Sequence, residues 1–266
     1  MLLGGCSSGS TTHQAPDPGG SPSAAPLSPY DKAVLADEPA GYWAGRADLT
    51  GNGRDGDVSG EPGEARMPNG DSAPQYDGDG EYLAIPDAPE FSASHTGELT
   101  VEAWLRPDTL QFKNGEEHGD YVHWLGKGSP DNQEYAARMY SLDNQEDRPN
   151  RISGYAFNPV GDQGAGSNFQ DKVRTGVWID YALVINTVDR SPQFPTGYVK
   201  IYKNGRLRDK DSLDDYDIVP ADGSAPLRVG TRDKASFFVG AIGKVAVYDR
   251  ELSAAQLLHH YRLMVR

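Results

Sequence analysis

The sequence predicts an all-β domain of antiparallel strands, and three observations support this fold class. Residues 99–106 place Leu, Val, Ala and Leu on one face of a strand and Thr, Glu, Trp and Arg on the other. This is the period of a pleated strand with one face on a core and one face free for solvent or ligand. Asn204-Gly205, flanked by alternating apolar residues, is a strong hairpin signal. The chain also contains 31 glycines and 19 prolines, a turn-rich composition that suits many short strands.

The composition favours one globular domain and disfavours two classes of partner. Hydrophobic residues make up 37% of the 266 residues and charged residues 24%, which is too apolar for a disordered protein. No linker interrupts the chain beyond its first 30 residues, so we predict a single domain over residues 30–266. A net charge of −14 opposes binding to nucleic acid or to anionic lipid and favours neutral or cationic partners.

Residues 1–29 are predicted to be a lipid-anchored tether. Leu3-Gly4-Gly5-Cys6 resembles a bacterial lipobox, in which a diacylglycerol is attached to the cysteine, and a flexible Ser/Pro/Gly-rich stretch follows. Only two leucines precede the motif, so we expect the true start of the signal peptide to lie upstream of Met1. The alternative is a chance cysteine in a low-complexity tail. Against it, Cys6 is the only cysteine and has no internal disulfide partner.

Membrane attachment is therefore expected only through lipid. No stretch approaches the roughly 20 apolar residues that a spanning helix needs. The predicted location is the outer face of a bacterial cell membrane, as a secreted lipoprotein.

The first half of the domain is predicted to contain turns and short strands. Glycines in residues 48–53 permit the positive φ angles of a turn. The strand over residues 81–86 ends at a proline, which cannot donate to a sheet ladder. Three further strands follow at residues 121–125, 135–140 and 151–157. The stretches 141–150 and 158–171 are predicted to be long loops, which are often functional.

The second half is predicted to contain four strands and one helix. The strands lie at residues 177–185, 197–203, 227–230 and 237–248. Ser253 and Gln256 have the spacing of a capping box, and Leu257, Leu258 and Tyr261 form an apolar stripe. This predicts a short C-terminal helix that packs on the edge of the sheets.

The order of the motifs resembles the laminin-G-like, concanavalin A-like jelly-roll family. The matching segments are Tyr42-Trp43, residues 48–53, 80–86 and 100–104, Trp178, and residues 202–205, 238–242 and 249–253. The resemblance covers residues 30–264. It implies an antiparallel two-sheet sandwich in which residues 30–46 form an edge strand that closes the sandwich.

Six residues are predicted to form a carbohydrate-binding surface. His123, Arg138, Tyr140 and Tyr155 alternate outward from the predicted core on neighbouring strands, and Trp104 and Arg151 complete the set. Aromatic rings bind the C–H faces of sugars, and forked donors bind hydroxyls and carboxylates. An equally reasonable interpretation is an inter-strand polar ladder covered by the long loops.

An enzyme is the less favoured interpretation. The paired carboxylates of glucanases are missing, and Glu102 stands alone on its strand. Jelly-roll lyases use a His/Tyr/Arg set, which His123, Arg138 and Tyr140 could supply if they lie within hydrogen-bonding reach in an open groove. A purely structural or adhesive module is favoured instead if the two long loops cover this face.

A structural calcium ion is implied by the resemblance, although one position departs from the family's pattern. Asp48 and Asn52 match the family's calcium-binding turn, whereas Gly243 stands where relatives often have an aspartate. One carboxylate fewer weakens a site that needs six to eight oxygens. The aspartates of residues 209–217 are predicted to be a solvated acidic hairpin, and His259 and His260 ordinary surface residues.

The combined prediction is a cell-envelope binding module, not an enzyme, that recognises an extracellular polysaccharide, a glycosylated partner or a protein. The sequence does not identify the glycan.

Overall fold

The structure is a computed structural model of the chain that describes residues 1, 26–112, 120–129, 132–158 and 163–266. Cys6 and the tether around it lie outside the described residues, so the predicted lipid attachment stays a prediction. No helix in the described part of the chain is long and apolar enough to cross a bilayer.

Fifteen strands and two α-helices occur in the described residues. The strands are β1 Gly41–Trp43, β2 Asp57–Ser59, β3 Gly63–Arg66, β4 Ser72–Asp77, β5 Tyr82–Ile85, β6 Glu98–Pro107, β7 Tyr121–Ser129, β8 Asn132–Tyr140, β9 Arg151–Phe157, β10 Gly164–Gln170, β11 Ile179–Asn186, β12 Tyr198–Lys203, β13 Arg206–Ser212, β14 Leu227–Val229 and β15 Val239–Tyr248. The helices are α1 Pro29–Ala36 and α2 Ala254–Met264.

The strands form two antiparallel sheets, as the sequence predicts. The first sheet has the order β13-β12-β11-β6-β15-β4-β3, with β1 also paired to β15. The second has the order β10-β9-β8-β7-β14-β5-β2. The apolar core lies between them, where Trp124 of β7 packs edge-on against Tyr181 of β11 with ring centroids 4.8 Å apart. The two-sheet sandwich fold is therefore confirmed.

The outer face of the first sheet is not free for solvent, which corrects the prediction made for β6. Thr100, Glu102 and Trp104 are each at most 1% exposed, because both helices lie over this face in a second apolar cluster. The ring of Trp104 stacks on Tyr261 of α2 at 5.9 Å with an interplanar angle of 4°. Strand β6 is therefore buried on both sides.

The N-terminal helix α1 was not predicted. The resemblance implied an edge strand over residues 30–46, but only β1 is a strand in this stretch. The helix starts with a capping box between Ser28 and Asp31, and Pro29 occupies its first position. These are ordinary helix-start signals, so the sequence did contain the information.

The hairpin and the C-terminal helix are confirmed, whereas one predicted loop is wrong. Asn204 and Gly205 have φ angles of 54° and 68°, as a two-residue hairpin turn requires, and they join β12 to β13. Ser253 and Gln256 form the predicted capping box at α2. The stretch 158–171 contains β10, which pairs with β9.

Candidate functional site

The candidate site lies on the outer face of the second sheet, where β8 runs between β7 and β9. His123 of β7 is the Cα partner of Arg138, and Arg138 is also the partner of Ser153 of β9. Because side chains alternate along a strand, this register brings His123, Arg138, Tyr140 and Tyr155 to the face turned away from the core. The structure therefore brings together the four residues that the sequence places on one surface.

A chain of polar contacts fixes the position of Arg138. Nδ1 of His123 lies 3.2 Å from Oδ2 of Asp233, in the segment between β14 and β15. On the other side of the imidazole ring, Nε of Arg138 donates to Nε2 of His123 at 3.1 Å. An arginine nitrogen can only donate, so Nε2 accepts and the ring proton lies on Nδ1, facing the carboxylate.

Burial keeps His123 neutral. Its side chain is 2% exposed, and burial lowers the pKa of His123 to about 3, although the neighbouring Asp233 carboxylate acts in the opposite direction. Its Nε2 lone pair is already used by Arg138. His123 therefore positions the guanidinium and is not a free proton acceptor.

Tyrosine rings surround the guanidinium of Arg138. The carbon Cζ lies 4.2 Å from the ring centroid of Tyr121 on β7 and 4.8 Å from that of Tyr155 on β9, distances at which cations are attracted to aromatic faces. Nη1 donates to the hydroxyl of Tyr140 at 3.1 Å. Among the described residues, no carboxylate lies within ion-pairing distance of Arg138.

Tyr140 is the second unusual group of the site. Its hydroxyl oxygen accepts hydrogen bonds from Arg138 at 3.1 Å and from Arg148 at 3.0 Å. Burial acts to raise the pKa of Tyr140, but the positive charge of Arg138 and these hydrogen bonds outweigh it and hold the pKa below its ordinary value. For Tyr155, burial is the largest effect and raises the pKa. Two tyrosines on one face therefore differ in acidity.

Two residues of the predicted surface stand apart from this cluster. Trp104 lies in the first sheet beneath α2 and is 1% exposed, so its placement on this surface was wrong. Arg151 shares the outer face of β9 with Tyr155, and its Nε is buried without a hydrogen-bond partner among the described residues. It is a neighbour of the cluster, with no direct contact to Arg138.

Three residues of the site were missing from the prediction. Tyr121 has the same strand alternation as His123, so the pattern could have identified it. Arg148 and Asp233 come from irregular segments of the chain, and no sequence periodicity links them to β7 or β8. Only the folded structure shows that they contact Tyr140 and His123.

The predicted calcium turn is closed by its own hydrogen bonds. Oδ1 of Asp48 accepts from the N–H groups of Tyr42 and Thr50 and from the Thr50 hydroxyl, and Oδ2 accepts from the N–H of Arg54. Asn52 donates its side-chain amide to a backbone carbonyl. These Asp48 oxygens are already engaged, so the donor set does not fit a calcium ion in this arrangement. Calcium binding stays a prediction from the family resemblance.

Another group of carboxylates, Glu98, Asp189 and Glu251, has oxygens within 4.8 Å of one another. Lys200 forms an ion pair with Glu251, and the hydroxyl oxygen of Tyr198 lies 2.8 Å from Glu251 and 3.2 Å from Asp189, close enough to donate its proton to either. The charges of this group are therefore partly satisfied by the chain itself.

Comparison with solved structures shows similarity to carbohydrate-associated domains. Domain 4 of AbnA, an extracellular GH43 arabinanase from Geobacillus stearothermophilus in complex with arabinotriose, has a TM-score of 0.57 and 16% identity, over 84% of this chain and 98% of that domain. The ligand-binding domain of botulinum neurotoxin serotype D, in complex with N-acetylneuraminic acid, has a TM-score of 0.60 and 14% identity, over 86% of this chain and 52% of that one. At these identities the likeness shows the fold alone.

The family assignment comes from the sequence match. The present chain spans about half the length of the botulinum toxin domains, including that of type G, which has a TM-score of 0.58 and 13% identity over 85% of this chain and 51% of that one. No curated protein matches it. Residues 77–258, more than half of the chain, match the Laminin_G_3 family model. The protein therefore belongs to the concanavalin A-like lectin/glucanases superfamily.

Proposed function

We propose that this protein is a non-catalytic binding module for extracellular carbohydrate or a glycosylated partner, and that the ligand contacts the Arg138 cluster. The observation that carries the proposal is the guanidinium held between Tyr121 and Tyr155 and oriented by His123. Aromatic faces pack against sugar C–H groups, and a fixed guanidinium recognises sugar oxygens without a large ordering cost. Similar folds have been solved with arabinotriose and N-acetylneuraminic acid, which supports carbohydrate as the ligand class.

A glycan array with the whole chain tests the proposal. Tyr155→Ala removes one aromatic wall and is expected to weaken glycan binding roughly threefold to tenfold. Tyr216→Ala is the matched control, because Tyr216 is 52% exposed outside the cluster. Absence of binding to any glycan would refute the proposal and favour a protein-binding adhesive module.

A lyase is the second candidate function, and the lowered pKa of Tyr140 favours it. His123 could not be the base, because Arg138 already occupies its Nε2. Tyr140 would have to act as the base that removes the proton from the sugar. Incubating the chain with any bound polysaccharide tests this: unsaturated product that disappears in Tyr140→Phe would establish the lyase, and intact polysaccharide would exclude it.

We further propose that Cys6 anchors the domain to the outer face of a cell membrane. The support is the lipobox-like segment and the Ser/Pro/Gly-rich stretch after it. Expression of the native gene product with Cys6→Ser is expected to move the protein from the detergent phase to the aqueous phase. An unchanged distribution would contradict the anchor.

A further inference from the structure

We infer that the group recognised by the Arg138 cluster is the carboxylate of an acidic sugar. The inference deepens the proposed function and rests on it. It concerns the chemical class of the ligand, which the general proposal leaves open.

The first argument is the missing counter-charge. The partners of Arg138 are a neutral His123 and the hydroxyl of Tyr140, and its other neighbours are the aromatic rings of Tyr121 and Tyr155. Asp233 lies beyond His123 and pairs with Arg232 at 2.5 Å. A partly buried cation without a carboxylate is costly, and this chain has 39 acidic side chains from which a partner could have come.

The second argument is the geometry of the unused donors. A guanidinium carries five N–H groups in one plane. Arg138 uses one on Nε for His123 and one on Nη1 for Tyr140. The structure gives Nη2 no hydrogen-bond partner among the described residues. Arg138 is half-buried and rings from β7 and β9 lie beside its guanidinium, so we place the ligand along the guanidinium edge, where a planar carboxylate can accept two parallel hydrogen bonds.

A second cation lies on the same face. Arg151 is two residues from Ser153, the β9 partner of Arg138, so the backbones of the two arginines are diagonal neighbours roughly 7–8 Å apart. In the described part of the chain Arg151 has no carboxylate at ion-pairing distance, and its Nε lacks a hydrogen-bond partner. Burial raises the pKa of Asp211 to about 6, and the charge of Arg151 acts to lower it. Two unpaired arginines therefore suit a ligand with repeated negative charges.

Matched ligands that differ only in charge test the inference. Oligogalacturonate and its fully methyl-esterified counterpart are titrated into the whole chain by calorimetry. The free acid is expected to bind roughly 10-fold to 100-fold more tightly, the range of a charge-assisted hydrogen-bonded pair. Arg138→Gln should abolish this difference, so that the acid and the ester bind the variant with equal affinity, whatever the effect of the substitution on the ester itself.

The possible outcomes separate the two proposals. Equal affinity for acid and ester would overturn the carboxylate inference while leaving carbohydrate binding intact. If neither ligand binds and the glycan array shows no binding, both the carbohydrate-binding proposal and the carboxylate inference are refuted. If a glycan that carries sulfate groups and no carboxylate binds more tightly than oligogalacturonate, the assignment of a carboxylate is overturned.

A spectroscopic readout keeps the test valid if Arg138→Gln does not fold. A carboxylate on Arg138 neutralises the charge that depresses the pKa of Tyr140, so phenolate absorbance of the native chain should appear at higher pH with the acid than with the ester. Tyr140→Phe should lack this shift. An acid that binds without moving the phenolate titration would contradict contact with Arg138.

Discussion

His123 shows how a single buried residue can connect the groups of a candidate site. It joins Asp233 to Arg138 through its two ring nitrogens, so its replacement should affect the geometry of the guanidinium. The sequence predicted that His123 and Arg138 share a face, because strand alternation is a local property. It could not predict Asp233, which reaches the ring from a distant loop.

The first prediction compares two substitutions of this residue. His123→Leu leaves the buried Nε of Arg138 without an acceptor and removes one contact of Asp233, which keeps its ion pair with Arg232, so it should lower the free energy of unfolding by about 2–3 kcal/mol. His123→Gln can accept from Arg138 and donate to Asp233, so its loss should stay below about 1.5 kcal/mol. Urea denaturation measures both. Equal losses would show that the two hydrogen bonds contribute nothing specific.

The sequence prediction for His260 was wrong for a physical reason. Two adjacent histidines on a helix point apart, and His259 is indeed exposed, but His260 is 0% exposed. Its Nδ1 lies 2.9 Å from Oε2 of Glu102, and its Nε2 lies 3.1 Å from Oδ2 of Asp37. The sequence shows the angle between neighbours on a helix but not which face of the helix meets the sheet.

The second prediction is a pH dependence carried by His260. Burial acts to lower the pKa of His260, but Glu102 and Asp37 outweigh it and raise the pKa from 6.5 to about 9. Because the folded-state pKa is the higher one, the stabilisation is fully present below pH about 6.5 and is lost as the pH rises through about 9. The shift corresponds to roughly 3 kcal/mol.

Denaturation of the native chain and of His260→Gln at several pH values checks this. The difference in free energy of unfolding should be largest near pH 6 and should shrink towards pH 10. His259→Gln is the matched control on the same helix and should behave like the native chain. A difference that stays constant with pH would contradict a charged His260.

At the scale of elements, the hairpin between β12 and β13 also serves as a contact for α2. The turn itself was predictable, because Asn204-Gly205 has a conformational preference of its own. The contact of this turn with α2 was not predictable from the sequence. A Cβ at Gly205 would lie 2.6 Å from Cα of Leu258, so the glycine is needed for close approach as well as for its positive φ.

The third prediction separates these two requirements. Gly205→Ala should lower the free energy of unfolding by about 3 kcal/mol, from left-handed strain together with the clash against α2. Gly176 has a φ of 73° and nothing within 4 Å of an added Cβ, so Gly176→Ala should cost only about 1 kcal/mol. Thermal or urea unfolding measures both. Equal costs would mean that the hairpin can move away from α2.

For the whole molecule, the location of the two helices explains why the outer face of the first sheet is not a candidate surface. Both helices cover the outer face of the first sheet and bury Glu102 and Trp104. Strand alternation could predict two faces for β6, but not which layer would cover the second one. On the outer face of the second sheet Arg138, Tyr121 and Tyr155 are half-buried, and the candidate site lies there.

The fourth prediction concerns the contrast between the positive charge of Arg138 and the negative net charge of the whole chain. The chain carries a net charge of −14, so at low ionic strength it repels an acidic oligosaccharide until the ligand reaches Arg138. Salt screens this long-range repulsion over about 10 Å at 0.1 M, but it screens a partly buried pair much less. The association rate of oligogalacturonate should therefore rise roughly threefold or more between about 10 mM and about 150 mM salt, with a nearly constant dissociation rate.

Surface plasmon resonance measures both rates, and the methyl ester should show no such rise. An association rate that falls with salt would instead place the acidic ligand on an extended positive surface, contrary to two half-buried arginines in an acidic protein.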